Sequence, residues 1–245
     1  MSDADFTVTV LGNSGSYPGA GSACSGYLLR HGGFNLWLDA GPGTMANLQG
    51  HIGLGDVDAV VLSHQHPDHW SDLEGFFVAC RYVQVRRHVP VLAPAGLRHL
   101  MRSGPDSEST FEWREITGGA SVACGPFRLS FSRTDHPPET LAARVEAGGR
   151  AFGYSADTGP GWQLEALGRD LDLAICEATF LQDREGTSPH LSARQAGATA
   201  RAAAARRLLI THIWPIVDPK DSVAEAAGAF GGPVEWAQMN ETYPV

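Results

Sequence analysis

Residues 59–69 read AVVLSHQHPDH. Ala59–Leu62 is a short apolar run with the length of a buried strand. It stops at Ser63, and three imidazoles and a carboxylate follow within six residues: His64, His66, Asp68 and His69. Imidazole and carboxylate are the usual ligands of zinc, iron and manganese. In a tight loop, alternate side chains can face one ion while the adjacent Asp68-His69 pair turns toward a second. A polar surface loop with chance histidines is the competing reading, and it sits uneasily beside an apolar strand. Downstream, Ser71–Val83 carries Leu73, Phe76, Phe77 and Cys80 at helical spacing. The ligand-rich stretch therefore lies between a strand and a helix.

Working outward, the beginning of the chain reads as strands: Phe6–Leu11, Gly26–Arg30 and Asn35–Asp39. Gly32-Gly33 between the last two is a hairpin signal. Val89–Ala93 and Phe127–Ser132 are further strands. Between them Ser103–Glu115 is polar, with Phe111 and Trp113 embedded, and reads as an exposed loop able to lie over a pocket. Leu141–Glu146 and Arg150–Tyr154 form a second hairpin through Gly148-Gly149. Leu173–Cys176 and Leu208–Thr211 are strands. Ser192 is placed to cap an alanine-rich helix running to Arg207, and Asp221–Phe230 is a final helix. Hairpins first, then strands alternating with helices, suit an α/β sandwich of two sheets with helices outside. No linker, low-complexity tract or repeat divides the chain, so residues 1–245 read as one domain.

Composition narrows the functional classes. The 245 residues hold 43% hydrophobic and 18% charged residues, an ordinary globular mixture, and the net charge is −9. That acidic balance argues against a long nucleic acid as partner, since such binders usually carry a basic patch. Lys220 is the sole lysine. Cys24, Cys80, Cys124 and Cys176 are widely spaced, which indicates neither a disulfide framework nor a structural zinc cluster. No signal peptide opens the sequence and no apolar run approaches the roughly 20 residues that span a bilayer. A cytoplasmic enzyme with no membrane partner is the resulting expectation.

Three more candidates close strands: His136 after FRLSFSRTD, Asp157 after AFGYSA, and His212 after LLIT. A lone histidine of this kind is more often structural. Three such groups at strand ends, where sites of α/β sheets assemble, are harder to dismiss.

With these residues in view, the chain resembles the metallo-β-lactamase fold superfamily, and within it the ribonuclease Z-like phosphodiesterases. The resemblance covers nearly the whole chain: LGNSGSYPGAGSACSGYLL (11–29), LDAGPGT (38–44), LSHQHPDH (62–69), His136, YSADTG (154–159), CEATF (176–180), HLSARQAG (190–197) and LLITHIWP (208–215). It implies a four-layer αββα sandwich holding two divalent metal ions, zinc first, with manganese or iron as alternatives. It implies His64, His66 and His136 on one ion, Asp68, His69 and His212 on the other, and Asp157 bridging. Asp39 would steady the histidine loop. Glu177 and His190 match a pair beside the leaving group. Such a carboxylate orients the imidazole and raises its proton affinity, giving a general acid. A capping histidine before the Ser192 helix is the blander account of His190.

Paired metals lower the pKa of a shared water toward about 7 and neutralise charge on the attacked group. For a phosphodiester, attack by the bridging hydroxide would follow, with Asp68 able to take a proton from the water. The substrate expectation is a small phosphodiester, a 3′,5′-cyclic nucleotide by preference. Transfer-RNA processing members of this branch carry a long RNA-gripping arm between His136 and Asp157. Here only 20 residues, 137–156, lie between them, and one short hairpin fills that stretch. The armless bacterial members proposed to act on cyclic nucleotides are similar overall. A tRNA 3′-processing endonuclease stays open as an alternative, as does a thioester or lactone hydrolase. A non-enzymatic metal-binding scaffold ranks last. Arg81, Arg86 and Arg87 are within reach of a phosphate on paper, though solvated surface charge is the plainer reading. The branch is often dimeric, which leaves a homodimer open.

Overall fold

The computed structural model describes residues 6–102 and 104–245. Its first sheet takes β1 (Thr7–Gly12), β2 (Gly26–His31), β3 (Phe34–Ala40), β4 (Ala59–Val61), β5 (Val89–Ala93) and β6 (Phe111–Glu115). Its second takes β7 (Ser121–Cys124), β8 (Phe127–Arg133), β9 (Leu141–Ala147), β10 (Arg150–Tyr154), β11 (Leu173–Glu177), β12 (Leu208–Thr211) and β13 (Val234–Trp236). β14 (Thr242–Pro244) returns to the edge of the first. The orders are β14-β1-β2-β3-β4-β5-β6 and β13-β12-β11-β10-β9-β8-β7. In each sheet an antiparallel half leads into a parallel half: β3 to β6 run parallel, and so do β10 to β13.

Strand side chains alternate between two buried faces, which is why β1, β4, β11 and β12 are buried at every position. Val8, Val10, Leu36, Leu38, Val145, Phe152 and Ile175 meet between the sheets. The opposite face of the first sheet, with Leu28, Trp37 and Val60, packs on Leu73, Phe76 and Phe77 of α2 (Asp72–Val78); α1 is the short helix Thr44–Leu48. The opposite face of the second, with Ala174, Cys176 and Ile210, packs on α3 (Ala193–Ala202) and α4 (Pro219–Phe230). Three apolar layers between four structural layers make the αββα sandwich. No helix among the described residues is long and apolar enough to cross a membrane.

Both expected hairpins form, with Gly32 and Gly33 at φ 58° and 81°, a region that glycine enters without a Cβ penalty. Several boundaries differ from the sequence reading. The α2 run ends at Val78 and widens into a π-turn over Ala79–Val83. The alanine-rich helix stops at Ala202, where the chain turns through Ala204 at φ 52° to enter β12. Helix α4 begins two residues early, because Asp218 caps it through the Lys220 N–H and Pro219 takes the first turn. Within Ser103–Glu115, Ser103 lies outside the described residues, and Phe111–Glu115 is the edge strand β6. Because β5 and β6 are parallel, the crossover between them must return to the start of the sheet. The start of β6 is the end away from His64, and Phe111 is buried against Phe76 and Phe77. The reading of Ser103–Glu115 as one exposed loop is therefore corrected.

The α3–α4 crossing depends on a missing side chain. A Cβ on Gly197 would run into the backbone carbonyl oxygen of Ala226. Backbone cannot rotate away as a side chain can, so Gly197→Ala is expected to cost about 1–3 kcal/mol. That corresponds to a fall in Tm of several degrees at this chain length, on the order of 2–4 °C per kcal/mol. Thermal unfolding followed by circular dichroism checks it; an unchanged Tm would show that the two helices can separate freely.

Candidate metal centre

β1, β3, β4, β8, β10, β11 and β12 all end on one rim of the sandwich, and each brings a polar side chain there at or shortly after its end. β3 supplies Asp39 and β4 supplies Ser63 and the histidine loop. β8, β10, β11 and β12 lead to His136, Asp157, Glu177 and His212. The chain turns sharply there. Asp39 and His212 sit at φ 56° and 55°, and Ala156, before Asp157, at 50°. Left-handed backbone outside glycine is uncommon, and its concentration at one rim marks a constrained site. Close approach is also built in: a Cβ on Gly41 would overlap the carbonyl oxygen of Asp68.

The structure brings all seven expected ligand residues together. His64, His66, His136 and Asp157 form one group, and Asp68, His69, Asp157 and His212 a second, each with its ligand atoms within 4.8 Å of one another. Asp157 is the shared member. Its Oδ2 lies 3.6 Å from His64 Nε2 and 3.8 Å from His136 Nε2. Its Oδ1 lies 3.2 Å from His69 Nε2 and 3.4 Å from His212 Nε2. Asp68 Oδ2 is 3.3 Å from His212 Nε2 and 3.5 Å from His69 Nε2.

Hydrogen bonds on the far side of the rings set which nitrogen faces inward. His69 Nδ1 donates to Asp39 Oδ2 at 2.8 Å. Ser63 Oγ donates to the same oxygen at 2.8 Å and so accepts from His64 Nδ1 at 3.0 Å. His136 Nδ1 donates to the Pro189 carbonyl at 2.9 Å. Thr179 Oγ1 donates to Glu177 Oε2 at 2.6 Å and accepts from His212 Nδ1 at 2.9 Å. Each of these four rings therefore points Nε2 at the carboxylates. His136 Nε2 also lies 3.1 Å from His66 Nδ1.

Buried acceptors crowded together need a positive charge. His64 Nε2, His69 Nε2 and Asp157 Oδ1 are buried with no hydrogen-bond partner. Burial, then the charge of His69, pushes His64 well below the ordinary histidine value. For His69 burial acts the same way, but Asp157, Asp68 and Asp39 outweigh it and hold the ring well above that value. Asp157 and Asp68 stay ionised against burial through the neighbouring histidines. In the protein alone, a proton on His69 is the available counter-charge. A pair of divalent cations satisfies the same acceptors more completely, and the all-nitrogen and oxygen donor set fits zinc, manganese or iron.

Beside this centre, Glu177 is 1% exposed and receives four hydrogen bonds: the Thr158 and Leu191 N–H groups, Thr179 Oγ1, and His190 Nδ1 at 3.0 Å. Burial works against a charged His190, yet Glu177 overrides it and raises the imidazole to about 9. The His190 ring stacks on His212 at 5.3 Å and lies 4.8 Å from His136. Ser192 does cap α3, through its own hydroxyl, so His190 is not needed for that role. Arg81, Arg86 and Arg87 are not part of the rim. Arg86 bonds the Leu54 carbonyl, ahead of β4 and at the other end of the sheet. Sequence reasoning missed Ser63, Thr179 and the Tyr154 hydroxyl, which donates to Asp39 Oδ2 at 2.8 Å. Ser63 and Thr179 lie inside motifs already singled out, but their partners are visible only in three dimensions.

A sandwich of this topology with a histidine-aspartate centre on one rim defines a metallo-β-lactamase-type fold. The chain belongs to the beta-lactamase superfamily domain family, whose family model matches residues 35–213. It is 36% identical to the uncharacterized protein ML1173 of Mycobacterium leprae, over 97% of this chain and 88% of that protein. It is 32% identical to the probable metallo-hydrolase YhfI of Bacillus subtilis, over 94% of this chain and 96% of that protein. The YhfI crystal structure superposes with a TM-score of 0.89, 27% identity in the structural alignment, and coverage of 98% and 100%. Human tRNase Z, short form, shares the fold at a TM-score of 0.79 and 21% identity, covering 97% of this chain and 98% of that one.

Asp39 touches none of the inward-facing nitrogens, yet holds His69, Ser63 and Tyr154 in place. Asp39→Asn is therefore expected to weaken zinc binding about 10–100-fold while the fold persists. Competition titration against a chromophoric chelator reads this directly. Wild-type affinity in a folded variant would remove Asp39 from the centre's support.

Proposed function

We propose that this chain is a dinuclear metal-dependent hydrolase of small phosphodiesters, with 3′,5′-cyclic nucleotides the best-matched substrates. The observation that carries the reading is the pairing of a seven-residue ligand cluster, in which His64 Nε2, His69 Nε2 and Asp157 Oδ1 are buried without a partner, with a Glu177–His190 dyad at its edge. His64, His66 and His136 would hold one ion and Asp68, His69 and His212 the other, with Asp157 between them. Zinc leads among the candidate metals. Two such ions would supply Lewis-acid activation of water and neutralise charge on the phosphoryl oxygens.

The chain's own groups provide the rest. Asp68, kept ionised, accepts a hydrogen bond from the attacking water, orients it and takes its proton as the water attacks. As the new oxygen–phosphorus bond forms, the opposite phosphorus–oxygen bond breaks. His190, charged because Glu177 holds its Nδ1, gives its Nε2 proton to the departing alkoxide. Glu177 accepts four hydrogen bonds, which fix it behind the His190 ring. A dyad of this kind serves an alkoxide leaving group. A thiolate leaves without such help, which favours the phosphodiester reading over a thioesterase.

Substrate size follows from the connection between His136 and Asp157. In the fold it is used up by β9, the Gly148-Gly149 turn and β10, with Leu141 already bonded to Ser63 of the opposite sheet. No segment there is free to extend as an RNA-gripping arm, so a substrate contained within the rim is favoured over a precursor tRNA.

His190→Ala is expected to keep both metals and lower kcat about 10²–10⁴-fold on a cyclic nucleotide. Elemental analysis and steady-state kinetics together separate the two effects; loss of metal would contradict the acid role. Cyclic AMP, a bis-aryl phosphate, a precursor tRNA and an acyl thioester, compared on one metal-loaded preparation, test the substrate class. Turnover of the thioester alone, with both phosphodiesters inert, overturns the assignment.

A further inference from the structure

One backbone group at the rim does more than hold ligands in place. The Ser16 N–H lies 3.3 Å from His212 Nε2 and has that nitrogen as its acceptor. A neutral imidazole carries one ring lone pair. His212 gives its Nδ1 proton to Thr179 Oγ1, so the lone pair is on Nε2. Two groups therefore claim the same electrons: the Ser16 N–H, and an ion held by Asp68, His69, Asp157 and His212. Once His212 gives the lone pair to an ion, the N–H remains beside it without that acceptor.

The chain fixes this N–H closely. Ser16 sits at φ 61°, in the left-handed region that residues other than glycine seldom enter. Gly15 before it donates to the Ile213 carbonyl at 3.0 Å, and a Cβ on Gly15 would overlap the carbonyl oxygen of His212. The Ser16 hydroxyl accepts from Trp214 Nε1 at 3.2 Å. Trp214 is itself held. Its backbone N–H donates to the Thr179 carbonyl at 3.1 Å, its ring meets Phe180 at 5.7 Å, and the Arg184 guanidinium lies 5.7 Å from the ring centre. A strained residue persists only where its surroundings over-determine it, and such residues gather at functional sites. Ser16 is exposed while His212 is buried, so this N–H stands between the centre and solvent.

We propose that the Ser16 N–H is a substrate-binding donor that holds a non-bridging oxygen of the phosphoryl group, with Trp214 the residue that positions it. This rests on the phosphodiester reading of the site and adds a contact made by the chain itself. Thr179 already fixes the His212 ring through Nδ1, so the ring does not need Ser16 to stay in place. A hydrogen bond to a charged oxygen is stronger than one to a neutral oxygen, so a phosphoryl oxygen displaces water from this N–H. A backbone donor set in advance beside developing negative charge needs no reorganisation as the bond to phosphorus forms. The side chain takes no part in that contact, which leaves its hydroxyl free to serve as the anchor on Trp214.

The test uses the full chain labelled with ¹⁵N-serine, with inorganic phosphate as the probe. The Ser16 amide signal is the one missing from Ser16→Ala. It should shift when zinc is loaded, because its acceptor is lost. It should then move downfield, saturably, as phosphate is added, and stay still when phosphate is added to metal-free protein. An ester in place of the Gly15–Ser16 amide, made by joining a synthetic 1–23 segment at Cys24, removes the N–H alone. That ester should weaken phosphate binding about tenfold or more. It should lower kcat on a cyclic nucleotide about 10²–10³-fold, with zinc content unchanged. Trp214→Phe, which deletes the Nε1 donor, should show part of both losses; wild-type phosphate affinity there overturns the role of Trp214. Phosphate that binds the zinc-loaded protein without moving the Ser16 signal overturns the proposal and leaves the phosphodiester reading standing. So does wild-type phosphate affinity in the ester. Loss of zinc from the ester would make the N–H a support for His212, which also overturns it. The labelled wild-type chain decides the matter if the ester fails to refold. Zinc-loaded protein that binds no phosphate overturns the proposal too, and turnover of cyclic AMP against the thioester then judges the reading separately.

Discussion

Everything at the rim answers to one electrostatic problem: the chain drives lone pairs and negative charge into a small buried volume. Two carboxylates and five imidazoles converge there, and outward hydrogen bonds to Asp39, Ser63, Pro189 and Thr179 hold the Nδ1 proton of four of the rings outward and aim Nε2 at the carboxylates. Such a cluster is costly without a cation. The cost is borne by two sheets whose cores are built independently of it. Strand ends that all point one way, left-handed turns at Asp39 and His212, and the close passage of Gly41 under Asp68 all follow from holding those acceptors together.

The centre and the dyad are physically continuous. Thr179 lies between Glu177 and His212, giving its proton to the first and receiving one from the second. The hydroxyl can satisfy both only with the polarity described, so the accepting Oε2 of Glu177 and the inward Nε2 of His212 support each other. Chains of this kind polarise along their length. Proton donor and metal ligand are thus one network rather than neighbours by accident.

Much of this was legible in the sequence, and the reason is local chemistry. Four ligand-type residues after one apolar run, and three more each closing a strand, need no tertiary information to be noticed. The strands of the interior were readable because both faces are buried and the runs are continuously apolar. The peripheral strands were not. FEWRE at β6 and SVAC at β7 lie at sheet edges, where half-exposed, charged or short sequences are what a protected edge needs and what a loop also shows. Ser103–Glu115 was read as one loop for the same reason: polarity marked the segment as exposed but could not separate an edge strand from a loop. The supporting partners Tyr154 and Thr179 were beyond reach because each acts across long sequence separation, 115 residues from Asp39 and 33 residues from His212.

The ligand-type residues divide unevenly between the sheets. His64, His66, Asp68 and His69 follow β4 of the first, while His136, Asp157 and His212 follow β8, β10 and β12 of the second. Neither sheet holds a complete set, and β14 crosses from the end of the chain back to the first sheet to pair with β1. The centre is therefore a clasp as well as a reactive site. It can close only when the two halves have met in the right register, so metal uptake acts as a built-in inspection of assembly. A chain that mispairs its sheets would still bury much of its apolar surface, but would be left with two partial and weakly chelating sets of donors.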